Sequence, residues 1–135
     1  MPDPELPPIL ICEDDPDDLF FARLLVQRTG VRNPVITVED GEHAITYLTG
    51  CIKTGACPCV VLLDIKMPLK NGFEVLEWAR SQPELEKIGF IVMSGSALEA
   101  DRQRARNLGA KNYLVKYPTP KDLGDAIRDA TAISE

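Results

Sequence analysis

The chain has 135 residues, with 15 Lys and Arg against 21 Asp and Glu, one His and a formal net charge of −6. That length fits one domain around a single core, and 44% hydrophobic with 27% charged residues is ordinary for a globular protein. The negative balance argues against nucleic acid as a partner. No apolar run approaches the roughly 20 residues of a spanning helix, so no membrane segment is expected.

Met1 to Pro8 holds four prolines and two acids and lacks the basic start and apolar stretch of a secretory signal. It reads as a flexible lead-in, with the folded domain expected over residues 9–135. An untargeted chain points to the cytoplasm, where Cys12, Cys51, Cys57 and Cys59 stay free thiols. The cysteine spacing lacks the paired pattern of zinc modules.

Five short apolar runs follow: Ile9 to Cys12, Val35 to Val38, Val60 to Leu63, Phe90 to Met93 and Tyr113 to Val115. They do not alternate with polar residues, which predicts strands buried on both faces, as in a parallel sheet. Helical segments separate them, over Asp17 to Arg28, Gly41 to Leu48, Asn71 to Ser81 and Ala97 to Leu108. A last helix opens with Thr119 as cap and Pro120 in its first turn, and carries Leu123, Ala126, Ile127 and Ala130 on one stripe. Five strands alternating with five helices predict an open, doubly wound α/β sheet. In such sheets ligands collect at the carboxyl ends of the strands.

Those ends carry the chemistry. Glu13, Asp14 and Asp15 follow the first strand, Asp64 the third, Ser94 the fourth and Lys116 the fifth. With the strand order 2-1-3-4-5 of flavodoxin-like sheets, the first and third strands are neighbours and their acids converge. Converging carboxylates either take up protons or gather a cation, and oxygen ligands favour Mg²⁺ over zinc. A carboxylate can accept a phosphoryl group as an acyl phosphate. Ser94 and Lys116 would then donate to its oxygens.

On these residues the chain resembles a response-regulator receiver domain, stand-alone and chemotaxis-like, from Leu6 to the C-terminus. The strongest stretch is Val61-Leu62-Leu63-Asp64-Ile65-Lys66-Met67-Pro68, followed by Gly72. Glu13 and Asp14, Ser94 and Lys116 complete the pattern at successive strand ends. The resemblance implies that Asp64 accepts phosphate from a phosphohistidine on a sensor histidine kinase. Glu13, Asp14, Asp64 and the backbone carbonyl of Lys66 would organise Mg²⁺, Glu13 through water. It also implies that Ser94 and Tyr113 form a switch pair that alters the face built by the fourth helix, fifth strand and fifth helix. That face would engage a downstream protein, a phosphotransfer partner or a second copy of the chain.

Two departures stand out. The family places Pro directly after the fifth-strand lysine, often with a cis bond, whereas here Tyr117 intervenes before Pro118. The cis bond is therefore either shifted or lost. The long Thr49 to Cys59 stretch, Asn33-Pro34 and the lack of an output domain resemble the subfamily paired with phytochrome-type sensor kinases. Lys66 and Ser96, each two residues beyond a key position, imply slow loss of the phosphoryl group.

The remaining features have plainer readings. Asp17 and Asp18 read as acids placed by the helix dipole, and His43 as a solvated helix residue. Phe20 and Phe21 are adjacent, so one helix face cannot bury both. Arg102, Arg104 and Arg106 form either a solvated face or a docking surface. Two other functions remain open: an aspartate-nucleophile phosphatase, which would want an acid where Lys66 stands, and a phosphate-independent binding module.

Overall fold

The computed structural model describes residues 2–132, the side chain of Ala132 excepted. The end of the predicted domain, residues 133–135, lies outside the described residues. The elements run β1 (Ile9–Cys12), α1 (Pro16–Arg28), β2 (Val35–Val38), α2 (Gly41–Thr54), β3 (Val60–Leu63), α3 (Gly72–Arg80), a 3-10 turn (Pro83–Leu85), β4 (Gly89–Ser94), α4 (Glu99–Asn107), β5 (Asn112–Val115) and α5 (Pro120–Ala132). All strand pairs are parallel and the order is 2-1-3-4-5, as expected for the flavodoxin-like fold.

The uninterrupted apolar runs have the predicted consequence. β1, β3 and β4 are buried at every residue, while β2 and β5, at the sheet edges, are half-buried. Because strand side chains alternate, each run supplies two cores. Leu10, Cys12, Val61, Leu63, Phe90 and Val92 pack on one face with residues of α2, α3 and α4. Ile9, Ile11, Val60, Leu62, Ile91 and Met93 pack on the other with α1 and α5. Burial stabilises by about 1.5–3 kcal/mol per large aliphatic side chain. A slip of one residue would exchange the two faces, which fixes the register.

Local chemistry sets most helix ends. Asp15 caps α1, its carboxylate accepting from the amides of Asp17 and Asp18. Asn71 and Glu74 form a reciprocal capping box at α3. The Thr119 hydroxyl accepts from the Asp122 amide at 3.0 Å at the start of α5.

Two helix boundaries differ from the sequence reading by more than one residue. α2 does not stop at Leu48 but continues to Thr54, with Gly55 as a left-handed cap at φ 80°. Gly50 is carried inside it, because the added turn buries Cys51. The connection before β3 is correspondingly short. α4 starts at Glu99 rather than Ala97, after Leu98 in extended conformation.

Residues 3–8 form no helix or strand, yet they are hydrogen-bonded to the fold. Asp3 N donates to Arg32 O at 2.6 Å, Asn33 Nδ2 to Pro7 O at 2.7 Å and Cys59 N to Pro8 O at 3.0 Å. Phe20 and Phe21 are both exposed, at 63% and 46%. Two α4 arginines have partners: Arg104 lies 4.3 Å above the Phe73 ring, and Arg102 5.0 Å above the Tyr113 ring.

Candidate functional site

The ladder itself aligns the site. Beyond the last paired residues, Glu13 N donates to Val38 O at 3.1 Å, Asp64 N to Cys12 O at 3.1 Å and Lys116 N to Ser94 O at 2.8 Å. Glu13, Asp64 and Lys116 thus each stand one step past a strand and Ser94 closes β4, all at the same edge of the sheet. Glu13, Asp64 and Ser94 are buried and Asp14 is exposed. They line, with Lys66 and Lys116, a cleft of about 480 Å³.

Lys116 is the hub. Its Nζ donates to Glu13 Oε1 at 2.6 Å, Asp18 Oδ2 at 2.9 Å and Asp64 Oδ2 at 2.9 Å. The second Asp64 oxygen accepts from the Lys66 amide at 3.3 Å. Gly72 lets the following chain close over this loop: its amide donates to Ile65 O at 2.8 Å, and a Cβ there would overlap the Asp64 carbonyl oxygen. One carboxylate oxygen each from Glu13, Asp14 and Asp64 lies within 4.8 Å of the others, the one such cluster among the described residues. These hard oxygen donors suit a divalent cation.

Electrostatics follow from crowding. Burial pushes the Glu13 carboxyl up to about 7, against the lowering effect of hydrogen bonds from Lys116 and the Asp15 amide; the Asp64 charge adds to the rise. Burial pulls the Lys116 ammonium down, but its bonds to Glu13, Asp18 and Asp64 outweigh that and hold it well above the ordinary lysine value. Cys12, beneath Glu13, is pushed far up by burial and by the Glu13 charge. It is a core thiol, not a reactive one.

Ser94 Oγ accepts from the Ser96 amide at 3.2 Å. The Tyr113 hydroxyl donates to Ser96 O at 2.8 Å, tying β5 to the loop before α4. The two predicted switch residues therefore meet at Ser96, whose own hydroxyl donates to Asp101 at 2.6 Å. His43 is exposed as expected, its Nδ1 2.7 Å from Asp40.

Two residues of the site escaped sequence reading. Sequence alone gives Asp18 to the helix dipole, yet it reaches Lys116 across 98 positions. Tyr117 is a departure in the loop by sequence, and its hydroxyl donates to the other Asp18 oxygen. The peptide bond between Lys116 and Tyr117 is cis, so, contrary to the expectation from the missing proline, the cis bond is neither shifted nor lost. The available signal was the place of Asp18 in the first turn of a helix that begins at the acidic cluster.

A 2-1-3-4-5 parallel sheet with three acids and a lysine at its carboxyl edge defines a receiver-type signalling domain. The chain belongs to the response regulator receiver domain family, which it matches over residues 9–128. Among the proteins it resembles are a cyanobacterial response regulator and two solved regulators named for phytochromes. The response regulator Rcp1 of Synechocystis sp. is 31% identical over 127 residues, covering 91% of this chain and 86% of that one; a Mn²⁺-bound form of Rcp1 superposes with a TM-score of 0.73, at 27% identity and 94% and 91% coverage. The bacteriophytochrome response regulator AtBRR is 34% identical, with a TM-score of 0.81 and 94% of both chains covered. The phosphorylated cyanobacterial phytochrome response regulator RcpA is 30% identical, with a TM-score of 0.74, covering 96% of this chain and 92% of that one. Among the described residues no helix is long and apolar enough to cross a membrane.

Proposed function

We propose that Asp64 is the phosphoacceptor of a two-component signalling pathway. One carboxylate oxygen of Asp64 attacks the phosphorus of a phosphohistidine on a sensor histidine kinase. The new O–P bond forms as the N–P bond breaks, and the imidazole nitrogen leaves with the electron pair. The observation that carries this reading is the Lys116 ammonium 2.9 Å from Asp64 Oδ2, in a cluster where the oxygens of Glu13, Asp14 and Asp64 lie within 4.8 Å of one another.

The residues fit a divalent cation, and Mg²⁺ is the reading preferred for their hard oxygen set. Glu13, Asp14, Asp64 and the Lys66 backbone carbonyl would hold it. When bound, it neutralises the acids and the charge on the transferring phosphoryl group. Lys116 and Ser94 donate hydrogen bonds to the phosphoryl oxygens, which stabilises charge where it develops. Movement of Ser94 toward them loosens its bond to the Ser96 amide. That bias passes to Tyr113, and so to the face formed by α4, β5 and α5.

Receivers of this family are signalling proteins rather than turnover enzymes, and slow self-dephosphorylation is the most activity expected here. A phytochrome-type kinase is the proposed donor, in keeping with the relatives above. A downstream protein, a phosphotransfer partner or a second copy of the chain is the proposed target. The working unit is taken as residues 9–135, with 1–8 as lead-in, acting in the cytoplasm.

Incubation with acetyl phosphate and Mg²⁺, followed by intact-mass measurement, tests the reading. The wild type gains one phosphoryl group and Asp64→Asn gains none. An unmodified wild type, or equal labelling of both, rejects the phosphoacceptor role and favours a phosphate-independent binding module.

A further inference from the structure

The three partners of Lys116 do not have equal futures once the site is in use. Glu13 and Asp64 belong to the cluster assigned to the cation and the phosphoryl group. Asp18 does not belong to it. An ammonium has three N–H donors, and here they are met by Glu13, Asp18 and Asp64. Phosphorylation takes one acceptor, and a cation on Glu13 competes for another. Asp18 is the partner that neither event removes.

Asp18 is itself held in place. Its amide donates to the Asp15 cap at 3.1 Å in the first turn of α1. One carboxylate oxygen receives Lys116 and the other receives the Tyr117 hydroxyl. The Tyr117 ring lies 5.5 Å from that of Phe21, which lies 5.7 Å from that of Phe20. Tyr117 occupies the place where a receiver usually has proline, so this chain replaces a rigid ring with a hydrogen-bond donor aimed at Asp18.

We propose that Asp18, braced by Tyr117, is a positioning residue for phosphoryl transfer: it keeps the Lys116 ammonium at the acceptor when Glu13 and Asp64 turn to the cation and the phosphoryl group. The proposal rests on Asp64 being the phosphoacceptor. A second effect has the opposite sign, because the Asp18 charge repels an incoming phosphate. Lys116 is shared between Asp18 and Asp64, so the ammonium screens that repulsion and positioning dominates.

The experiment compares wild type, Asp18→Asn, Asp18→Glu and Tyr117→Phe, using acetyl phosphate with Mg²⁺ and Lys116→Met as reference. Asp18→Asn is expected to lower the maximal labelling rate by about tenfold to a hundredfold, the range for a misplaced catalytic group. Half-saturating acetyl phosphate and Mg²⁺ affinity should stay within about twofold, because Asp18 holds neither. Asp18→Glu should restore most of the rate, and Tyr117→Phe should cost a few-fold. In ¹⁵N-lysine-labelled protein the Lys116 ammonium signal should be slow to exchange in wild type and lost in Asp18→Asn.

A rate in Asp18→Asn equal to or above wild type, with Lys116→Met impaired, overturns the proposal and leaves the phosphoacceptor reading intact. So does an unchanged ammonium signal, or failure of Asp18→Glu to rescue. Should Asp18→Asn not fold, wild-type rates in Tyr117→Phe overturn it equally. Absence of label on Asp64 in the wild type removes both readings.

Discussion

Glu13 makes stability depend on pH in a direction opposite to that of most carboxylates. Its carboxyl, ordinarily near 4.5, is held at about 7 in the folded chain, chiefly by burial, and it is 4% exposed. The folded state therefore keeps a proton that the unfolded state releases. Stability is highest below the unfolded value and is lost as pH rises through the folded one. Linkage between these values amounts to about 2 kcal/mol from about pH 5 to about pH 7.5. Lys116 stays charged in both states across that window and adds no slope. Asp40 and Asp125, held below their ordinary 3.8, lose their contribution only in stronger acid. Urea unfolding in chelator should show the midpoint falling by roughly 1 M across the window. Glu13→Gln, which mimics the protonated acid, should remove the difference, and saturating Mg²⁺ should flatten it by favouring ionised ligands. Parallel slopes for wild type and Glu13→Gln would refute the reasoning.

Two further outcomes are expected. Gly72→Ala places a methyl group against the Asp64 carbonyl oxygen and 2.9 Å from Ile65 Cα; it should cost about 3 kcal/mol and slow labelling of Asp64, checked by urea midpoint and acetyl phosphate kinetics. The acyl phosphate should persist for minutes to hours in the purified protein, because Ser96 Oγ is committed to Asp101 and Lys66 offers no acceptor for a water; decay within seconds would exclude this.

The strands were legible because their physics is local and severe: a residue buried on both faces must be apolar, so Val60 to Leu63 can be read without neighbours. A helix start was legible where a side chain performs the capping, as at Thr119. The end of α2 was not, because Gly50 resembles a stop signal. An interior glycine costs about 1 kcal/mol, which burial of Cys51 readily offsets. The sequence also placed Glu13, Asp14, Asp64, Ser94 and Lys116 at strand ends, since a parallel sheet turns position along the chain into position along an edge.

Asp18 could not be read that way, because it stands inside α1, and Tyr117, two residues past β5, stands out in the sequence only as a departure from the family's proline. An acid in the first turn of a helix already has a sufficient local reason to be there, so nothing in its surroundings asks for a second. The second reason comes from charge balance across the closed sheet. Glu13 and Asp64 are buried beside each other, and the local chain offers only amides against them. Lys116 supplies the cation, and a lysine stem long enough to reach both acids is also long enough to leave them. A third carboxylate on a different element limits that freedom. The need arises only once β1, β3, β5 and α1 are assembled, and for that reason the brace is a property of the fold rather than of any stretch of sequence.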